Sequence, residues 1–403
     1  MTSSRFEGDF TLQEPLPPEA IAAAVEVMRS GRLHRYNTAP GEMSEAARLE
    51  REFADWQGAR YCLATGSGGQ ALQIALRAAG VGPAEPVLTN AFTLAPVPGA
   101  IHAVGAVPVL VEITDALVID LDDLAAKAAR SGARVLLLSL MRGHLPDMDR
   151  LMDLAGRLGL RVIEDCAHTM GATWAGRKSG SFGLAGCFST QTYKHLNSGE
   201  GGLLVTDDAE LAARAVILSG SYMMYDRHGA APPPEAFAAA RTEMPNTSAR
   251  MDNLRAAVLR PQLRRLDANI ARWNARHARV VAELRRVNAI TLPMTPPAAQ
   301  PVGSSVQFRL PGIGPEAARR FLERTAARGV TLAWFGVPAP EGFTSTHRNW
   351  GHVPAQALPR TDAILATLFD MRLPLSFSEE DCTLIGRIIA EEAAAVAGSG
   401  APA

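Results

Sequence analysis

Hydrophobic and polar positions follow two rhythms along the chain. From residue 43 to about residue 220, stretches with apolar positions at helical spacing (SEAARLEREFADWQ, GGQALQIALRAAG, DLDDLAAKAARSG, DMDRLMDLAGRLG, DDAELAARAVILS) alternate with short, almost continuous apolar runs (YCLAT, PVLTN, VPVLVEI, ARVLLLSL, RVIEDCA, GCFST, GGLLVT). A strand that is apolar on both faces must be covered on both faces. The alternation therefore predicts a mainly parallel sheet between two layers of helix, an α/β architecture. Residues 1–42 precede it as an arm with one helix over PEAIAAAVEVMRSGR. After an irregular stretch at 222–248, MDNLRAAVLRPQLRRLDANIARWNARHARVVAELRRV predicts one long helix, kinked near Pro261. It leads into strands (SSVQFRLPG, VTLAWFG) and helices without strict alternation, a smaller α+β unit. The expected divisions are an arm over 1–42, a large domain over 43–265 and a small C-terminal domain over 266–403, with a linking helix at about 250–287.

Composition narrows the function. The chain has 403 residues, 47% of them apolar and 20% charged, which excludes a disordered, coiled-coil or collagenous protein. Forty basic and 41 acidic residues leave a net charge of −1, which argues against a nucleic-acid binder that relies on bulk positive charge. No apolar run reaches the length of a membrane span, and MTSSRFEGDF lacks a basic region followed by an apolar one, so a cytoplasmic protein with no membrane partner is expected. Cys62, Cys166, Cys187 and Cys382 form no CxxC pair. Their spacing suits neither zinc nor a disulfide framework, so reduced, buried cysteines and no metal are expected.

Candidate chemistry belongs at the carboxyl ends of parallel strands. RVIE runs into Asp165, with His168 three residues on. YCLAT runs into Ser67, Gly68 and Gly69 and then a helix, whose free N–H groups suit a phosphate. Only three of the basic residues are lysines. Lys127 reads as a solvated charge on an amphipathic helix and Lys178 as a turn residue, whereas Lys194 lies between Ser189 and the glycines at 199, 201 and 202. A phosphate cradle, a strand-end acid and one nearby lysine fit pyridoxal phosphate, which needs a lysine for its Schiff base and an acid on its ring nitrogen. Phe92, after the strand PVLTN, is placed to offer an aromatic face.

The stretches GSGGQALQIAL, AFTLAP, GAVPVLVEI, HLPDMDRLMDLA, VIEDCAHTMGATWAGRKSGSFGLAGCFS, KHLNSGEGGLLVTDD and RMDNLRAAVL resemble the DegT/DnrJ/StrS family of pyridoxal-phosphate-dependent aminotransferases, which act mostly on keto sugars. The resemblance runs from about Arg35 to about Leu263, and weakly beyond. It implies a fold-type-I enzyme with a seven-stranded-type sheet, homodimeric, with sites shared across the interface. It implies that Lys194 forms the Schiff base and shuttles the proton, that Asp165 pairs with the pyridinium nitrogen and that His168 touches the ring hydroxyl. Phe92 would stack on the ring, and Ser67, Gly68, Gly69 and Ser189 would hold the phosphate. The position that reaches the partner's phosphate in relatives falls on Ser248 here, with Asn246 two residues earlier; either would serve.

The chain departs from the family pattern at Gly69, which removes a hydroxyl from the cradle, at Thr190–Tyr193 and at Leu140–Gly143. These changes bear on the substrate rather than the cofactor. Arg35, Tyr36 and His228 are the expected substrate contacts, ahead of Asn37, Arg142, His144, Tyr225, Arg227, Trp334 and Phe335. The implied reaction moves an amino group from glutamate or glutamine to the ketone of a sugar, nucleotide sugar or cyclitol. The competing readings are elimination, epimerisation or cyclisation with the same cofactor, and a cofactor-binding regulatory or scaffold protein.

Overall fold

A computed structural model describes residues 4–398. The first three residues of the expected arm and the last five of the expected C-terminal domain lie outside them. The apolar runs form a seven-stranded sheet: β1 (Tyr61–Thr65), β2 (Pro86–Asn90), β3 (Val107–Val111), β4 (Val135–Ser139), β5 (Arg161–Asp165), β6 (Ala185–Ser189) and β7 (Gly202–Thr206), in the order β1-β7-β6-β5-β4-β2-β3. The β2–β3, β2–β4, β4–β5 and β5–β6 pairs are parallel. β7 runs against both its neighbours, β1 and β6. One reversed strand among seven gives the mainly parallel sheet that the apolar runs imply. GGLLVT reads alike in either direction, so its reversal has no signature in composition.

Each face of this sheet carries its own apolar cluster. Leu49, Phe53, Leu136, Leu138, Met148 and Phe188 lie in one, and Leu72, Leu76, Ile101, Leu137, Ile163 and Ile217 in the other. Successive β4 residues thus alternate between the two clusters, as the pleat requires. The arm carries α1 (Pro18–Ser30), and α2 (Glu45–Gln57) and α3 (Gly68–Ala78) flank β1. Ser44 and Ser67 cap the last two, accepting from the Ala47 and Gln70 N–H groups.

The long helix is two helices, α4 (Asn253–Leu263) and α5 (Leu266–Leu284). Pro261 lies inside α4, and the break falls after Leu263 rather than at the proline. Beyond it, β8 (Ser305–Arg309), β9 (Ala333–Trp334) and β10 (Leu368–Arg372) make an antiparallel sheet with β10 in the middle. Phe308, Phe321, Phe369, Ile385 and Ile389 share its core with Phe6 from the arm. No helix among the described residues is long and apolar enough to cross a membrane.

Candidate active site

The carboxyl ends of β1, β4, β5 and β6 open onto a cavity of about 460 Å³, a volume suited to a cofactor-sized ligand. Ser67, Gly68, Gly69, Ser139, Asp165, His168, Ser189 and Lys194 line it, together with Arg142, Tyr193, Phe343 and Arg372. Most of the expected cofactor contacts therefore meet in one place.

Geometry at the α3 end explains its glycine. A Cβ on Gly68 would stand 2.8 Å from the Ser189 Cβ. Only glycine lets the start of α3 come this close to the end of β6. Ser67 Oγ accepts from the Gln70 N–H at 3.1 Å. The Gly68 and Gly69 N–H groups have no hydrogen-bond partner among the described residues. Unpartnered N–H groups at the positive end of a helix dipole suit a phosphate.

Asp165 ends β5 and is buried. Its carboxylate accepts from Ser139 Oγ at 3.2 Å and from the Ala167 N–H at 3.2 Å. Thr93 Oγ1 in turn donates to Ser139 Oγ at 2.7 Å. Burial raises the Asp165 pKa, opposed by the Ala167 N–H, by Lys194 and by Ser139. A cationic partner at Asp165 would further favour its ionised form.

Lys194 Nζ donates to His168 Nε2 at 2.8 Å. Burial, reinforced by the charge of Arg142, lowers the Lys194 pKa to about 7. Burial and the charge of Lys194 hold His168 well below its usual value, as a neutral imidazole able to accept that bond. A lysine near neutrality is half unprotonated at physiological pH, the condition for a nucleophile or proton shuttle. The donor set therefore fits pyridoxal phosphate: N–H groups for the phosphate, a buried carboxylate for the ring nitrogen and an activated amine for the carbonyl.

Several expectations are corrected. Phe92 does not reach the cavity. It is 1% exposed and packs edge-on against Phe335, at 5.2 Å, in a cluster with Ile113, Met141 and Leu368. The cause is local: the Asn90 amide donates to the Phe92 carbonyl at 2.9 Å and to the Ser139 carbonyl at 3.1 Å, fixing the turn that sends the ring into the core. Leu94, Pro96, Val97 and Met141 supply the apolar wall instead.

Arg35, Tyr36 and His228 are not at the cavity either. Arg35 makes a bidentate pair with Glu50 of α2 (2.7 and 2.8 Å), His228 Nε2 lies 3.2 Å from Glu50 and Tyr36 Oη lies 3.0 Å from His228 Nδ1. Arg35, Glu50 and His228 are at most 1% exposed, so the group is a buried polar knot rather than a substrate surface. Asn246 and Ser248 are exposed and line no part of this cavity; Asn246 Oδ1 accepts from the Tyr222 N–H and Ser248 Oγ from Arg250. Lys127 is not a free surface charge: it donates to the Leu110 carbonyl at 2.6 Å and pairs with Asp123. The Lys178 ammonium lies 3.9 Å from the centre of the Trp56 ring.

Ser139 and Arg372 line the cavity without being among the expected site residues. Ser139 is the one polar residue of the run VLLLS, a signal that was available. Arg372 ends β10 of the other sheet, and nothing local to DMRLPL announces that it lines this cavity. Arg142 adopts a left-handed conformation (φ 56°), with its guanidinium 2.7 Å from Asp370 of β10 and over the Phe343 ring.

A model of the DegT/DnrJ/EryC1/StrS aminotransferase family matches residues 17–390. The dTDP-3-amino-3,4,6-trideoxy-alpha-D-glucose transaminase of Streptomyces venezuelae is 34% identical, over 81% of this chain and 80% of its own. The L-glutamine:2-deoxy-scyllo-inosose aminotransferase of Streptoalloteichus tenebrarius is 34% identical, over 85% of this chain and 80% of its own. The crystal structure of 3-amino-5-hydroxybenzoic acid synthase superposes with a TM-score of 0.81 at 26% identity, covering 96% of this chain and 99% of that one. With a cavity built for pyridoxal phosphate and a family match over most of its length, the chain belongs to the DegT/DnrJ/EryC1/StrS aminotransferases, a pyridoxal-phosphate-dependent family.

Proposed function

We propose that this aminotransferase moves an amino group from an amino-acid donor, L-glutamate or L-glutamine, to the ketone of a sugar, nucleotide sugar or cyclitol-like substrate. The observation that carries the reading is the Lys194–His168 contact of 2.8 Å in the cavity that Asp165 and the start of α3 also line. The named activities of the two 34% identical relatives, one a nucleotide-sugar transaminase and one a glutamine-dependent inosose aminotransferase, support the substrate class.

When bound, pyridoxal phosphate supplies a carbonyl that condenses with amines and a ring that withdraws electrons from the adjoining carbon. The protein's share is binding and proton handling. Gly68 and Gly69 offer their N–H groups, and Ser67 and Ser189 their hydroxyls, to the phosphate. Asp165, oriented by Ser139 and Ala167, holds a proton on the ring nitrogen. His168 would face the ring hydroxyl, and it accepts a hydrogen bond from the Lys194 amine. Lys194 would be the amine that holds the cofactor through its carbonyl and, once freed, the base placed to take the proton from the donor's α-carbon. In the second half it delivers a proton to the carbon that gains the nitrogen.

The reading includes a cytoplasmic homodimer with shared sites, in which Asn246 or Ser248 reaches the partner's phosphate. Their exposure, beside the exposed apolar side chains of Tyr222 and Met223, supports this, and four unpaired cysteines suit a reducing compartment.

The test is the visible spectrum of the holoenzyme before and after L-glutamate or L-glutamine. Conversion of the lysine-bound band to the amine form of the cofactor is expected, and Lys194→Ala should lack both the initial band and turnover. A band that no amino donor changes would overturn amino transfer.

A further inference from the structure

Resting on that reading, one corner of the cavity has a form that suits the ring of the acceptor. Arg142, in the turn after β4, and Phe343, in the loop after β9, both line the cavity, and the guanidinium carbon lies 4.7 Å from the centre of the Phe343 ring. Three features fix Arg142. Its backbone is left-handed (φ 56°), its Nη2 donates to Asp370 at 2.7 Å, and the Phe343 ring covers one face of its guanidinium. Asp370 is fixed in turn, because its other oxygen accepts from Gln307 Nε2 at 2.7 Å. The Arg142 Nε and Nη1 donors have no hydrogen-bond partner among the described residues, although the residue is only 8% exposed. Buried donors of this kind are nearly always satisfied, by protein, water or ligand. Asp370 already balances the charge of Arg142, so the free donors call for a neutral oxygen, such as a hydroxyl, rather than a second anion.

Phe343 is held as firmly. Gly342 takes a positive φ (58°), and the buried Thr344 ties the turn: its Oγ1 accepts from the Glu341 N–H at 3.1 Å and its own N–H donates to the Glu341 carbonyl at 3.2 Å. The turn carries Phe343, which is 38% exposed, an unusual exposure for a large apolar side chain in a cavity wall. The result is a rigid aromatic surface beside a hydrogen-bond donor. Sugar and cyclitol rings present the complement. They carry hydroxyls around the edge and C–H bonds on the faces, whose partial positive charge suits the negative face of an aromatic ring.

We propose that the Arg142–Phe343 corner is the acceptor subsite, in which Phe343 takes the C–H face of the ring that bears the ketone and Arg142 donates to a hydroxyl on its edge. The ketone carbon has to receive its proton from Lys194, so the ring that bears it sits in the cavity that this corner walls. A straight-chain amino donor has no such face to offer. The base of a nucleotide sugar is the rival occupant of an aromatic surface, and the experiment separates it from the sugar ring.

The ring probe is scyllo-inositol, whose hydroxyls are all equatorial and whose two faces carry only C–H bonds. The probe for the base is thymidine diphosphate, and the straight-chain control is glutarate. Each is titrated by calorimetry into protein loaded with pyridoxamine phosphate, the form that meets the acceptor. scyllo-Inositol should bind Phe343→Leu about 3- to 10-fold more weakly than wild type, and Phe343→Trp should restore the affinity. Arg142→Met should lose at least about 10-fold, with Arg142→Lys between, because one donor returns without the planar fork. Glutarate and thymidine diphosphate should bind Phe343→Leu and wild type alike. No millimolar binding of scyllo-inositol to wild type, or equal affinity for Phe343→Leu, would overturn the proposal. So would a loss at Phe343→Leu that thymidine diphosphate shows alone, which would make Phe343 the platform for the base, or one that glutarate shares equally, which would make the loop a mere wall. Should Arg142→Met fail to fold, Arg142→Lys carries the comparison. Polyol binding needs no turnover, so a holoenzyme that transfers no nitrogen yet shows these differences would sink amino transfer and leave the ring subsite standing.

Discussion

At the scale of single residues, Lys194 stores a cost that the cofactor relieves. Burial lowers its pKa from 10.5 to about 7. In the unfolded chain the lysine keeps its ordinary value. Between about pH 7 and 10.5 the unfolded state therefore binds more protons than the folded one, and stability rises with pH across that window. Below pH 7 both states carry the charge and the full penalty of burying it applies. Lys194→Met should therefore raise the melting temperature of cofactor-free protein most at pH 6, by about a few degrees, and hardly at all near pH 10. Melting curves at the two pH values check this; equal gains at both would mean that the amine is not desolvated. Lys194 was legible because the chain has only three lysines, and Asp165 because it ends an apolar strand. Arg372 was not legible as a cavity residue, since its place there depends on a second sheet standing over the first.

At the scale of elements, the contacts among Arg35, Tyr36, His228 and Glu50 show why exposed-looking polar clusters mislead. The RYN stretch after the first helix reads as ligand-facing until Glu50 is recognised as a carboxylate on the buried side of α2. Glu50 also accepts from the Ala64 N–H of β1 at 2.8 Å, so one side chain ties the arm, α2, β1 and the loop at His228 together. Although burial alone would raise it, Arg35 and His228 hold the Glu50 pKa at about 2. The pKa is lower in the folded state than in the unfolded one. The resulting stability is thus fully present above about pH 4.5 and lost as pH falls toward 2. Arg35→Ala leaves a buried carboxylate without its cation and should cost about 3–5 kcal/mol in urea unfolding at pH 7. The half-saturating concentration of the amino donor should not move, because the knot lies outside the cavity. A raised value with unchanged stability would return Arg35 to the substrate site. The same scale explains the helix assignment: periodicity runs through Leu263 and Leu266 alike, so spacing alone could not separate α4 from α5.

At the scale of the whole molecule, the cavity lies where two sheets meet. The large sheet contributes Asp165 and Ser189, the loop after β6 contributes Lys194, and β10 of the small sheet contributes Arg372 and the Asp370 that holds Arg142. Alternation of apolar runs made the first sheet readable, whereas the approach of the second is a packing outcome with no local signature. The proposed shared site adds a third contribution. Gly220, Tyr222 and Met223 all have positive φ, Arg250 stacks over Tyr222 at 4.9 Å and Asn246 anchors the Tyr222 N–H, so the segment is held in an extruded shape with its apolar side chains exposed. Strain of this kind persists only where the surrounding structure over-determines it, and it clusters at functional sites. If the segment carries Asn246 and Ser248 to the partner's phosphate, two inactive variants should complement each other. Lys194→Ala spoils the site on its own chain. Asn246→Ala with Ser248→Ala spoils the site on the partner. In a mixed dimer one site bears both lesions and the other bears none. With random exchange half the dimers are mixed and half of their sites are intact, so activity should recover to about a quarter of wild type. Mixing the purified variants under subunit exchange and assaying amino transfer reads this directly. No recovery between two folded, cofactor-loaded variants, or full activity of the double variant alone, would mean that each chain completes its own phosphate site.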